Sequence, residues 1–94
     1  MKWCVYIITN KKEGVLYIGL TKDLKRRIYQ HKNKVHSTAF SARYNLDRLV
    51  YFESFDVEKD ARLREKQMKK WNRDWKIKLI EKTNPDWMDL YNKI

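Results

Sequence analysis

Two short β-rich runs near the amino terminus restrict this chain more than any other feature. Residues 3–9 (WCVYIIT) and 15–19 (VLYIG) are dominated by β-branched and aromatic side chains, and Asn-Lys-Lys-Glu-Gly divides them. Together they read as a β-hairpin. Successive side chains alternate between the faces of a strand. A connection over residues 10–13 sets Tyr6 opposite Tyr17 with both facing the same way, whereas one more residue in the loop would put them on opposite faces. The shorter connection is the expectation.

Thr21 is expected to cap a helix reaching about residue 32, with Asp23 placed favourably for the dipole in its first turn. Leu24 and Ile28 form the apolar stripe of that helix. At 100° per residue His31 falls between them, Arg27 lies on the flank, and Arg26 points almost the opposite way. Residues 33–47 lack a clear period and read as a loop or a short irregular helix, while 49–55 (LVYFESF) read as a third strand. Asp56 is expected to cap a helix over roughly 57–71, with Val57, Ala61 and Met68 as its stripe. Glu65 falls inside that stripe. A carboxylate there is costly to bury without a basic side chain, hydrogen-bond donors or a metal as partner.

A basic helix over roughly 73–82 follows, and Asn84-Pro85 is expected to open a last short helix anchored by Trp87 and Leu90. Trp71 and Trp75, in WNRDW, read as packing anchors for the terminal helices; the alternative is a protein-docking surface. The order β-β-α-β-α-α-α predicts one α+β domain over 1–94, a small antiparallel sheet covered by helices.

A formal net charge of +10 attracts polyanions, and neutralising phosphates releases counterions. Nucleic acid is therefore the favoured partner, although charge alone also admits anionic membrane surfaces and acidic proteins. Cys4 is the single cysteine, which excludes an internal disulfide and a thiolate zinc cluster. It reads as an inert buried thiol in a reduced, cytoplasmic setting. The apolar stretch from Trp3 to Ile8 is too short for a signal core or a spanning helix, so no membrane association is expected. Phosphate-cradling glycine loops, His-Glu-x-x-His, Cys/His metal spacings and a serine elbow are all missing.

What remains is a constellation. VYI at 5–7, YIG at 17–19, Arg27 and His31 four residues apart on the next helix, and an acidic residue on a later helix together resemble the GIY-YIG nuclease superfamily. The densest stretches are LYIGLTKDLKRRIYQHK at 16–32 and LREKQMKKWNRDWKIKLIEKTNPDWMDL at 63–90; the second is similar to the small standalone bacterial branch. The chain is also similar to the amino-terminal nuclease module of the excision-repair subunit UvrC. The resemblance implies a three-stranded antiparallel sheet flanked by helices, and phosphodiester hydrolysis with one divalent ion, Mg²⁺ or Mn²⁺.

By position, Tyr6 and Tyr17 would be the motif tyrosines, Arg27 the motif arginine, His31 the position held by His or Tyr, and Glu65 the metal ligand. Lys22, Lys25, Arg26, Arg43, Tyr44 and Lys69 are expected to contact nucleic acid, DNA in particular, with 33–47 (bearing Phe40 and Tyr44) selecting the substrate. If WNRDW at 71–75 is instead a docking surface, the partner is expected to be a larger repair or recombination complex. Three positions depart from the pattern: Val5 replaces the usual glycine, Leu20 stands where some members carry lysine, and Ile77 lies near the place of an asparagine found in larger members. These departures favour the alternative of a catalytically weak or inactive nucleic-acid-binding module. Read without the resemblance, Tyr6 and Tyr17 form a cross-strand pair and Glu65 is a salt-bridge partner of Arg27.

Overall fold

The computed structural model describes residues 2–35 and 40–94, the side chains of Phe40 and Ser41 excepted. Part of the expected substrate-selecting region, residues 36–39 and the Phe40 side chain, therefore lies outside the described residues. Strand β1 (Trp3–Thr9) pairs antiparallel with β2 (Leu16–Thr21) on one side and with β3 (Arg48–Phe55) on the other, in the order β2-β1-β3. As the central strand, β1 buries both of its faces. That is why its sequence is a nearly continuous apolar run rather than an alternation.

Helices α1 (Leu24–Lys32), α2 (Phe40–Arg43), α3 (Glu58–Lys70) and α4 (Arg73–Thr83) complete the α+β domain, with a 3-10 turn at Tyr91–Lys93. Val5, Ile7, Ile18 and Val50 form one core with Ala61 and Met68 of α3, Ile80 of α4, and Trp87. Cys4, Tyr6, Ile8 and Leu49 form the other with Leu24 and Ile28 of α1 and with Leu46. The carboxy-terminal residues Leu90, Tyr91 and Ile94 pack against this second core. It is on the α1 side that the tyrosines gather. No described helix is long and apolar enough to cross a membrane.

The structure corrects four local expectations. Thr9 pairs with Leu16, and Tyr6 with Gly19, so the hairpin connection is two residues longer than expected. Tyr6 and Tyr17 still share a face, because a shift of two preserves parity, but they are diagonal neighbours. The cap of α1 is Asp23, whose carboxylate accepts from the Arg26 amide at 3.2 Å; Thr21 ends β2, and its hydroxyl accepts from the Asp23 amide at 3.1 Å. Asp56 does not cap α3, which has Val57 at that position without a side-chain cap, and Val57 is exposed.

No helix starts at Pro85. Asn84 ends α4 instead, its amide donating to the carbonyls of Val50 (3.1 Å) and Met88 (2.9 Å), while its side-chain oxygen accepts from the Met88 amide. The segment beyond it is held irregular by tertiary bonds: Leu90 N–H donates to the Leu49 carbonyl at 2.8 Å, and Asp89 accepts from the Leu49 amide at 3.2 Å. Trp87 is fully buried with its indole N–H on Glu81 at 2.8 Å, so it is an anchor, as is half-buried Leu90. Val5 has lost the freedom of glycine to good effect, since its side chain fills the α3-facing core.

Candidate active site

Gly19 determines how the site is assembled. It faces Tyr6 across the β1–β2 ladder, and a Cβ built on it would stand 2.3 Å from both Cζ and the hydroxyl oxygen of Tyr6. The missing side chain is therefore the seat of the tyrosine ring, which lies across the edge strand. From this seat the Tyr6 hydroxyl reaches Nε2 of His31 at 2.9 Å, with ring centroids 5.8 Å apart. Tyr17 approaches the same imidazole edge-on at 6.0 Å between centroids. His31 is delivered by α1, whose buried Leu24 and Ile28 fix the rotation of the helix.

Charged side chains complete the group. Burial pushes the Tyr6 hydroxyl well above the usual phenol value; Tyr17 and Glu65 act in the same direction, and Arg27 opposes them. Both Arg27 on α1 and Glu65 on α3 are thus within electrostatic reach of one hydroxyl. The structure brings Tyr6, Tyr17 and His31 into contact, from two strands and α1, while Arg27 and Glu65 are linked to them only through their electrostatic influence on the Tyr6 hydroxyl. Because the Tyr6 phenol is held protonated, its O–H can donate to Nε2 of an imidazole carrying its own proton on Nδ1.

Glu65 is largely covered, with 21% of its side chain exposed, and its partner is Lys69 at 3.2 Å rather than Arg27. The i,i+4 spacing was the available signal for that pair. No group of three or more His, Cys, Asp and Glu side chains gathers among the described residues, so nothing resembles a closed zinc cage. A lone carboxylate suits a hard ion that keeps most of its waters and takes substrate phosphate oxygens as further ligands.

The expected nucleic-acid contacts divide. Lys22, Arg26 and Arg27 line a groove of about 220 Å³ with Thr21, Asp23 and Gln30, beside the tyrosine site; Arg26 is exposed and Arg27 half-buried, as helical phase required. Lys22 also lies over the Trp3 ring at 5.0 Å. Lys25 turns elsewhere, donating to the Ile94 carbonyl at 3.1 Å and lying 5.6 Å from the Tyr91 ring centroid. Arg43 and Tyr44 are exposed around the end of α2. The contribution of Gly19 was not anticipated, because it becomes visible only once the register is known.

A second phenol shares the Tyr6 behaviour. Burial, followed by its hydrogen bond to Glu53, pushes Tyr51 well above the usual value, and Arg64 clamps the same carboxylate at 3.0 and 2.8 Å. In the unfolded chain both phenols titrate near ~10, so the unfolded state gives up their protons first as pH rises. Stability is then complete below about pH 10 and falls above it. Urea unfolding at about pH 8 and about pH 11 should record this loss, and it should shrink in the Tyr6→Phe, Tyr51→Phe double variant. An alkaline loss of the same size in that variant would contradict it.

Comparison with known proteins follows the same lines. Residues 2–78 match the model of the GIY-YIG catalytic domain. The chain belongs to the GIY-YIG family. It is 38% identical over 79 residues to a UPF0213 protein of Staphylococcus saprophyticus, covering 84% of this chain and 94% of that one. It is also 38% identical over 81 residues, 84% of this chain and 76% of the other, to a UPF0213 protein from the VLF1-GP41 intergenic region of Autographa californica nuclear polyhedrosis virus. The solution structure of the UPF0213 protein BH0048 from Bacillus halodurans superposes with a TM-score of 0.58 at 27% identity, covering 95% of this chain and 93% of that one. The small standalone GIY-YIG fold, three antiparallel strands with flanking helices, is common to both structures.

Proposed function

We propose that this GIY-YIG protein is a divalent-metal-dependent endonuclease that hydrolyses phosphodiester bonds of nucleic acid, DNA in particular. The observation that carries the reading is the Tyr6 hydroxyl. It is within 2.9 Å of His31 and within the electrostatic reach of Tyr17, Arg27 and Glu65. The basic surface gives the substrate a reason to arrive.

Arg27 offers forked donors to the phosphate and stabilises the charge that develops on its oxygens. A phenol with a raised pKa is not a phenolate base at neutral pH, so Tyr6 acts through His31. As the Tyr6 oxygen takes a proton from the attacking water, its own proton passes to Nε2 and the phenol stays neutral. The water oxygen bonds to phosphorus, the bond to the leaving oxygen breaks, that oxygen takes a proton from solvent, and His31 returns its extra proton to solvent. Tyr17 packs against the imidazole edge and holds it toward Tyr6. Glu65 would hold one Mg²⁺ or Mn²⁺, which supplies Lewis-acid polarisation of the phosphate and stabilises the leaving group.

A repair or recombination role, within a larger complex and in the cytoplasm, fits this chemistry and the buried single thiol Cys4. Leu20 and Ile77, both packed against the α3-side core, offer no polar group at two positions used by other members. They support a second reading, a binding module without turnover in the same cleft. Purified protein is expected to nick supercoiled plasmid, and to cut branched DNA, in Mg²⁺ or Mn²⁺ but not in chelator. Binding of DNA without strand cleavage in either metal would overturn the nuclease reading and favour the second.

A further inference from the structure

Trp75 is not the packing anchor its sequence suggests. It is 55% exposed, although tryptophan ordinarily contributes through burial of a large apolar surface. Its neighbour Trp71 is partly buried against the α3-side core, and the Arg64 guanidinium covers the Trp71 ring at 5.0 Å. Arg64 is itself fixed by its two-pronged contact with Glu53. Trp75 meets this partly buried ring edge-on, at 5.9 Å between centroids and 75° between planes. An exposed aromatic thus rests against a packed neighbour.

The surface around it is basic. Trp71, Trp75, Lys78, Leu79 and Lys82 line an open groove of about 330 Å³. Lys78 and Lys82 stand one helical turn apart along α4, about 6 Å by the rise of the helix, comparable with the spacing of neighbouring phosphates along one strand. Among the described residues neither lysine takes part in an ion pair. Ile80 packs α4 in the core on the sheet face away from Tyr6, and no residue lining the groove belongs to the candidate active site.

We infer that this groove binds single-stranded nucleic acid, with a base stacked on Trp75 and successive phosphates on Lys78 and Lys82. The class of ligand rests on the nuclease reading; the form of the ligand rests on the groove. A flat aromatic beside paired cations takes an unpaired base of any identity together with its backbone. Within a duplex the base faces are already stacked on one another, so Trp75 has nothing to receive. Two unpaired lysines beside it favour an anionic occupant over an apolar or basic one.

Fluorescence anisotropy of a labelled oligothymidylate or blunt hairpin duplex, titrated with the full chain in chelator while intrinsic tryptophan emission is followed in parallel, tests the assignment apart from cleavage. Oligothymidylate should quench the emission. Trp75→Ala should weaken its binding about tenfold or more, with Trp75→Phe recovering most of the affinity. The Lys78→Ala, Lys82→Ala double variant should bind more weakly with a shallower dependence on salt, and duplex affinity should change little in Trp75→Ala. Undiminished oligothymidylate binding by Trp75→Ala, or an equal loss for the duplex, would overturn the assignment. Equal quenching by polyglutamate would overturn it too, in favour of an acidic peptide. Loss of plasmid nicking by the wild-type protein, with oligothymidylate binding intact, would reject the nuclease reading and leave the groove standing.

Discussion

Glu65→Ala is expected to reduce strand cleavage by about 10²–10⁴-fold while leaving the protein folded. The range follows from the several kcal/mol that a bound ion contributes to a charged transition state, at tenfold in rate for each ~1.4 kcal/mol. Stability should barely move. Among the described residues Glu65 has one ion-pair partner, Lys69, whose side chain is 52% exposed, and pairs of that kind are worth at most about 1 kcal/mol. Single-turnover cleavage and a thermal melt on the same preparation separate the two effects. Cleavage that survives the substitution would remove Glu65 from the site and point to a contaminating nuclease.

Gly19→Ala should damage activity and stability together. The added methyl would overlap the Tyr6 ring at 2.3 Å, and β1, which carries that ring, is hydrogen-bonded to a strand on each side. The ring must move. Overpacking of this kind costs about 1–3 kcal/mol. Displacing a reacting group by about 1 Å can cost about 10²-fold in rate. A lowered melting temperature accompanied by roughly hundredfold slower cleavage is the expected pair of results. Wild-type cleavage by Gly19→Ala would mean that the Tyr6 hydroxyl has no role at its observed position.

Much of this site was legible because it depends on periodicity. The 3.6-residue repeat distinguished half-buried Arg27 from exposed Arg26 and set His31 on the inner face of α1. The same repeat put Glu65 where a partner was required, and one is there. Strand parity placed Tyr6 and Tyr17 on one face even though the loop length was wrong, since a shift of two residues changes which side chains are opposite but not which way they point.

What stayed hidden depends on contacts between distant parts of the chain. Thr21 and Asp23 are both good caps in isolation; pairing of Thr21 with Cys4 in the sheet leaves the cap to Asp23. Asn84-Pro85 carries the local signature of a helix start, but the Asn84 side chain is engaged by Val50, far away in sequence, and by Met88. The positive φ of Trp87, 56°, has no local signal at all. In a bulky residue that conformation costs about 1–2 kcal/mol and persists because the surrounding packing determines it. Gly19 was visible as a letter in the sequence, but its meaning came with the register.

The central claim is that Tyr6 and His31 act as one unit on the attacking water, and a double-mutant cycle measures this directly. Tyr6→Phe, His31→Ala and the double variant would be compared with the wild type in single-turnover cleavage of one oligonucleotide substrate in Mg²⁺. Residues that share a proton pathway fail together, so each single variant should lose about 10²-fold or more and the double variant should lose little beyond either. Losses that multiply in the double variant, or full activity in either single one, would show that the two side chains do not form the working pair.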